Sequence, residues 1–257
     1  MNYPENLKKG DTIGICAPSG GIIKLHKVAR LNCAIETLQN LGYKVIETES
    51  VRKGEKARST TARKRAEEFM ELWENQDVKL ILTATGGEFL CEMLDFLDFD
   101  RIRKSKPKWI QGYSDITGLS FTFNTILDIP TMYCQTVKDY AMRPLFRNLT
   151  DCLEIESGKE IVQESFKLYE KDWTEEETNP YATYNLTEKV EWKNVTGEDK
   201  IIMQGRAVGG CLDSIMNFIG TKYDNIKNYI EKYSNDGIIW FLESYETSTP
   251  DLFRSLW

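Results

Sequence analysis

The sequence predicts an α/β fold: an N-terminal parallel sheet with helices on both faces, followed by a smaller, incomplete β-rich C-terminal domain. Three observations carry this expectation. Short apolar runs alternate with segments of helical period up to about residue 140, the pattern of strand–helix–strand units. The apolar runs are continuous rather than alternating, as strands buried on both faces are. The texture then changes after Met142-Arg143-Pro144, where a polar, acidic stretch begins.

The elements follow in order. Asp11–Ala17 carries the run Ile-Gly-Ile-Cys-Ala and reads as a buried strand ended by Pro18-Ser19-Gly20-Gly21. Val28, Leu31, Ala34, Ile35 and Leu38 recur at helical spacing, with Gly42 as the stop. Tyr43–Thr48 is the second strand. Thr60 or Thr61 caps a helix whose apolar face is Ala66, Phe69, Met70 and Trp73. Val78–Thr83 is the third strand, ending at Ala84-Thr85-Gly86-Gly87. A short helix follows over 89–97, a fourth strand over Trp109–Tyr113, a helix over Ile116–Leu127 and an extended segment over Thr131–Cys134. Residues 148–180 read as a connector with some helix. Thr183–Val195 shows strand-like alternation, and Ile201–Val208 is a strand broken by Gly209-Gly210. Leu212, Ile215, Met216 and Ile219 resume a helical period, and Gly237–Leu242 is a hydrophobic strand that delivers Glu243. The expected organisation is residues 1–145 as the α/β domain, 146–164 as connector and 165–257 as the C-terminal domain. Thr249-Pro250-Asp251 is a strong helix start, yet the apolar face Leu252, Phe253, Leu256 and Trp257 has barely begun at residue 257. That end reads as truncated.

Composition narrows the function. Thirty-three Lys and Arg against 40 Asp and Glu leave a net charge of −7, which argues against nucleic acid or an anionic membrane as a partner. A 41 % hydrophobic and 28 % charged composition suits a folded, soluble chain. No apolar run reaches the ~18 residues of a membrane helix, and the N-terminus lacks the apolar core of a signal peptide. Six cysteines form no CxxC, and His26 is the sole histidine. A histidine-rich metal centre is thereby excluded. The expectation is a cytoplasmic protein with free thiols and no metal or cofactor.

The sharpest chemical signal is Trp109-Ile110-Gln111-Gly112-Tyr113-Ser114-Asp115-Ile116-Thr117. A serine where a strand meets a helix exposes its hydroxyl at the carboxyl edge of the sheet, and the amide of Asp115 points the same way. The plainer alternative is that Ser114 caps the helix. At Gly86-Gly87 the backbone can approach a ligand and present an amide, or simply form a tight turn. Glu243, leaving an apolar strand, is either a buried acid with a function or a solvated strand end beside Glu246.

Taken together these segments resemble one family, the LD-carboxypeptidases and the related microcin C immunity peptidases. The resemblance rests on Tyr3–Ser19, Gly86-Gly87, Leu94–Arg103, Lys108–Leu119, Gly205–Leu212 and Ile239–Glu243. It implies a serine peptidase with a Ser–Glu–His triad, with Ser114 as nucleophile, Glu243 as the acid, and the amides of Gly87 and Asp115 as oxyanion donors. Gly86 and Tyr113 would line the substrate site. It also implies a small peptide substrate and a homodimer. The reaction expected is cleavage of an L,D-peptide bond of murein peptides in cell-wall recycling. The alternatives are an immunity-type peptidase acting on peptidyl-nucleotide toxins and a non-catalytic binding module. Cys211 stands where the family has Asn, and Glu88-Phe89 follows Gly87 where the carboxypeptidase branch has Tyr-Gly. His26 matches no catalytic position, so the resemblance implies that this chain is inactive as it stands.

Overall fold

The computed structural model describes residues 1–171 and 178–257; part of the acidic stretch read as a connector, residues 172–177, lies outside them. Five parallel strands form one sheet: β1 (Thr12–Cys16), β2 (Lys44–Glu47), β3 (Val78–Thr83), β4 (Trp109–Gly112) and β5 (Met132–Tyr133), in the order β2-β1-β3-β4-β5. All four neighbouring pairs are parallel. Strand order therefore reverses between β1 and β3, and the carboxyl-end loops on either side of that point open a crevice.

Alternation on β3 shows how both faces are covered. Leu80 and Leu82 pack in one apolar cluster with Leu31 and Leu38 of α1 (Leu25–Asn40) and Leu149 of α5 (Arg147–Glu156). Ile81, between them, points the other way, into a cluster with Phe69 and Trp73 of α2 (Ala62–Glu74), Ile102 of α3 (Phe99–Lys104) and Phe123 of α4 (Thr117–Thr125). The aromatic centre of that second cluster is tight, with the Trp73 and Phe123 rings edge to face at 5.3 Å. Thr61, rather than Thr60, caps α2, its side chain accepting from the Lys64 amide.

The C-terminal part adds a short antiparallel pair, β6 (Leu168–Tyr169) with β7 (Glu188–Lys189), and a parallel pair, β8 (Arg206–Cys211) with β9 (Ile238–Glu243). Among the described residues α6 (Leu212–Ile215), α7 (Ile226–Lys232) and α8 (Thr249–Leu256) accompany them. Several expectations change here. The alternation over Thr183–Val195 yields the two residues of β7, because Tyr184 packs against Phe146 while Trp192 lies 84 % exposed. β8 starts later than expected and runs through Gly209-Gly210 instead of stopping there. The reason is steric: a Cβ on Gly209 would stand 1.8 Å from the Phe241 carbonyl oxygen, so the glycines permit the close strand pairing. α6 is a single turn, leaving Met216 and Ile219 exposed. Ser248, not Thr249, caps α8. The short helices α3 and α7 carry too little apolar periodicity to be read from sequence.

Candidate active site

β4 ends at Gly112, which a side chain could not replace, since a Cβ there would meet Thr83 Oγ1 at 2.2 Å. Tyr113 is extended, and Ser114 then enters the left-handed region at φ +63°. For a non-glycine residue this costs about 1–3 kcal/mol and persists only where neighbours enforce it. They do so here. The Ser114 amide donates to the Tyr133 hydroxyl at 3.0 Å, and Thr117 Oγ1 donates to the Ser114 carbonyl at 2.6 Å. Ser114 caps no helix: neither the 3₁₀ turn over Ser114–Ile116 nor α4 has a side-chain cap.

Gly86 packs onto this serine so closely that a Cβ would lie 3.2 Å from Ser114 Oγ and 3.8 Å from the Asp115 amide nitrogen. Gly87, at φ +157°, is pressed against Ser19, and the Gly20 amide donates to the Gly86 carbonyl at 3.2 Å. The side chain of Asp115 explains why the two loops meet. It is buried, accepts from Ser19 Oγ, and accepts from the Leu90 amide at 2.9 Å. Burial pushes this carboxyl up, against the pull of Ser19, the Leu90 and Phe89 amides and Arg65. Arg65, itself buried, donates to the carbonyls of Pro18 and Phe89 at 2.8 and 2.9 Å. The turns after β1, β3 and β4 are thus tied into one assembly beside Ser114.

The fourth contribution comes from far along the chain. Parallel pairing sets Cys211 beside Glu243 at the ends of β8 and β9. The Cys211 amide donates to Thr117 Oγ1 at 2.9 Å, which docks β8 onto the start of α4. Glu243 is exposed, and its Oε1 accepts from the Tyr133 hydroxyl at 2.6 Å. One phenol oxygen therefore stands between the Ser114 backbone and the Glu243 carboxylate. The Cys211 thiol is pushed up to about 12 by burial, then by Glu243 and Asp213, and is no nucleophile at neutral pH.

Of the residues singled out from sequence, Ser114, Gly86, Gly87, Asp115 and Glu243 lie in or border this assembly. Tyr113, the residue before Ser114, is 36 % exposed. His26 is half-buried in the first turn of α1 and makes no hydrogen bond to Ser114 or Glu243 among the described residues. Sequence reasoning missed Tyr133, Thr117, Ser19 and Asp213 as partners. Only strand order could have flagged Tyr133, as the last residue of the strand beside β4. A cavity of about 370 Å³ lies near Gln135, with Phe146, Phe166, Tyr169 and Tyr184 among its lining residues. Among the described residues no three His, Cys, Asp or Glu converge to hold a metal, and no helix is long and apolar enough to cross a membrane.

Comparison with known proteins gives a consistent result. Residues 13–134 match the model of the LD-carboxypeptidase N-terminal domain. The chain is 30 % identical over 223 residues to the microcin C7 self-immunity protein MccF of Escherichia coli, across 84 % of its own length and 63 % of that protein's. It is 28 % identical over 225 residues to a Bacillus subtilis protein named "Probable murein peptide carboxypeptidase", covering 87 % of this chain and 62 % of that one. The chain thus spans less than two thirds of the length of either relative. A solved structure of MccF in complex with aspartyl sulfamoyl adenosine superposes with a TM-score of 0.77 at 26 % identity, covering 98 % of this chain and 73 % of the other.

Proposed function

With residues 13–134 matching the model of the LD-carboxypeptidase N-terminal domain, we propose that this chain carries the nucleophile and the acid of a serine amide hydrolase acting on small peptides. The observation that carries the reading is the strained Ser114, held beside Gly86 and linked through one hydroxyl to Glu243. In this reaction Ser114 Oγ attacks the amide carbonyl as a base takes its proton. The amides of Gly87 and Asp115 hold the oxyanion, the amine leaves, and water releases the acyl group. Glu243 orients the base. His26, the sole histidine, bonds to neither group among the described residues, and a triad left without its base turns over about 10⁶ more slowly than a complete one.

Two substrates fit the reading. Cleavage of an L,D-peptide bond in murein peptides is supported by the name of the Bacillus subtilis relative. Cleavage of a peptidyl nucleotide is supported by the MccF complexes with sulfamoyl nucleosides. A specific feature favours the second: the aromatic-lined cavity beside Gln135, in which the Phe146 and Tyr184 rings stand edge to face at 4.9 Å, is suited to a flat ring. A cytoplasmic setting and a homodimer belong to the same proposal, and six free thiols suit a reducing compartment.

The test is hydrolysis of a murein tetrapeptide and of an aminoacyl sulfamoyl nucleoside, with and without added imidazole as a surrogate base. We expect little turnover alone, a rate that rises with imidazole, and its loss in Ser114→Ala. Activity that survives Ser114→Ala, or parent protein that stays inert with imidazole on both substrates, refutes the assignment.

A further inference from the structure

Two hydrogen bonds of opposite sense meet on the Tyr133 oxygen. It accepts from the Ser114 amide at 3.0 Å and donates to Glu243 Oε1 at 2.6 Å. A phenol has one proton, so the carboxylate takes it and the lone pairs take the amide. The third neighbour, Thr117 Oγ1 at 3.4 Å, has its own proton committed to the Ser114 carbonyl. The ends of β4, β5 and β9 therefore converge on a single atom. We propose that Tyr133 is the positioning residue of this site: its hydroxyl holds the left-handed Ser114 backbone and the Glu243 carboxylate in one register.

Two consequences follow for the hydrolase reading, on which this inference rests. The Ser114 amide is engaged by Tyr133 and is not a donor to an oxyanion, which leaves the amides of Asp115 and Gly87 for that task. Glu243, exposed on a strand end, has its carboxylate held by a partner on the main sheet. Burial, then the bond to Glu243, pushes the phenol up from its ordinary value. It is a fixed donor and not a base.

Phenylalanine at this position keeps the packing of the ring against Phe241, 5.4 Å away, and removes only the hydroxyl. In the full chain, Tyr133→Phe is expected to speed exchange of the Ser114 amide about tenfold to a hundredfold. The Glu243 carboxyl carbon resonance at pH 7 should move, while the β1 and β3 amides, which report folding, stay as they were. In the imidazole-assisted reaction kcat should fall about tenfold or more, with KM within about twofold. An unchanged Ser114 amide or an unmoved Glu243 resonance overturns the inference, and so does an unchanged kcat once both have moved. If both spectroscopic changes occur but the parent protein never turns over, the hydrolase reading has failed and the catalytic consequence falls with it.

Discussion

Asp213 shows how much one carboxylate can organise. It accepts from the amides of Tyr245 and Glu246 at 3.1 and 3.2 Å, from the hydroxyls of Ser244 and Thr247, and from the Cys211 thiol at 3.3 Å. These donors fasten the loop that follows Glu243. Burial opposes the charge, but the bonds from Thr247, Tyr245, Cys211 and Ser244 outweigh it and hold the carboxyl well below its usual range. A depressed acid contributes stability above its unfolded pKa of about 3.9 and loses it as pH falls through the folded value. Asp213→Asn is therefore expected to cost about 1–3 kcal/mol at pH 6 and to flatten the acid dependence of urea unfolding below about pH 4. An acid limb identical to the parent's would place that dependence elsewhere. Ser114 was legible because its signal is local, a strand running into a helix start. Asp213 and Tyr133 were not, because each acquires its role from partners that only the folded chain supplies.

Elements were readable to the extent that burial imposed a period on them. β3 matches its expected span residue for residue, and α2 buries the four residues that its spacing singled out. β3 lies in the covered sheet and α2 packs on its face, where their apolar positions meet a neighbour. β8 was misread because its glycines are packing residues, a role that needs the neighbouring strand to be seen. Gly209→Ala should separate β8 from β9, since the added Cβ meets the Phe241 carbonyl at φ +151°. A loss of about 3 kcal/mol or more, with increased exchange along β9, is expected. α5 makes the opposite point, with Glu156 fully buried at its end and neither carboxylate oxygen partnered among the described residues. Burial, then Cys134, pushes this acid well above its usual range. A raised acid contributes stability below its unfolded pKa of about 4.3, and that stability is lost as pH rises toward the folded value. Glu156→Met is expected to raise the unfolding midpoint at pH 8 and to change it little at pH 4. A variant no more stable than the parent at pH 8 would show that the carboxyl is solvated after all.

At the scale of the molecule, the two halves of the site ride on unequal foundations. Ser114 follows β4, inside a five-stranded sheet with apolar clusters on both faces. Glu243 ends β9, the outer member of a two-stranded pair whose Trp240 and Leu242 are each 43 % exposed, and α8 beyond it buries no residue. Parallel strands depend on cover from both sides, and β9 has it in part, through Ile238 against the cluster of Phe121 and Val208 and through Phe241 against Tyr133. The division into an α/β domain over residues 1–145, a connector over 146–164 and a second domain over 165–257 remains a proposal, and this contrast supplies its test. Native-state hydrogen exchange should accordingly resolve two free energies. The amides of β1, β3 and β4 would open only with global unfolding, whereas those of β9 and α8 would open at lower cost and with little dependence on urea. If β9 instead exchanged together with β3, the chain would be one cooperative unit, and Glu243 would need no tether. If the lower free energy is found, alignment of the acid with the serine depends on Tyr133 to Glu243, Cys211 to Thr117 and Asp213 to the 244–247 loop, acting beside Asn124 on Ala207 and Phe241 on Tyr133. Removing any one of them should then speed β9 exchange while leaving β3 unchanged.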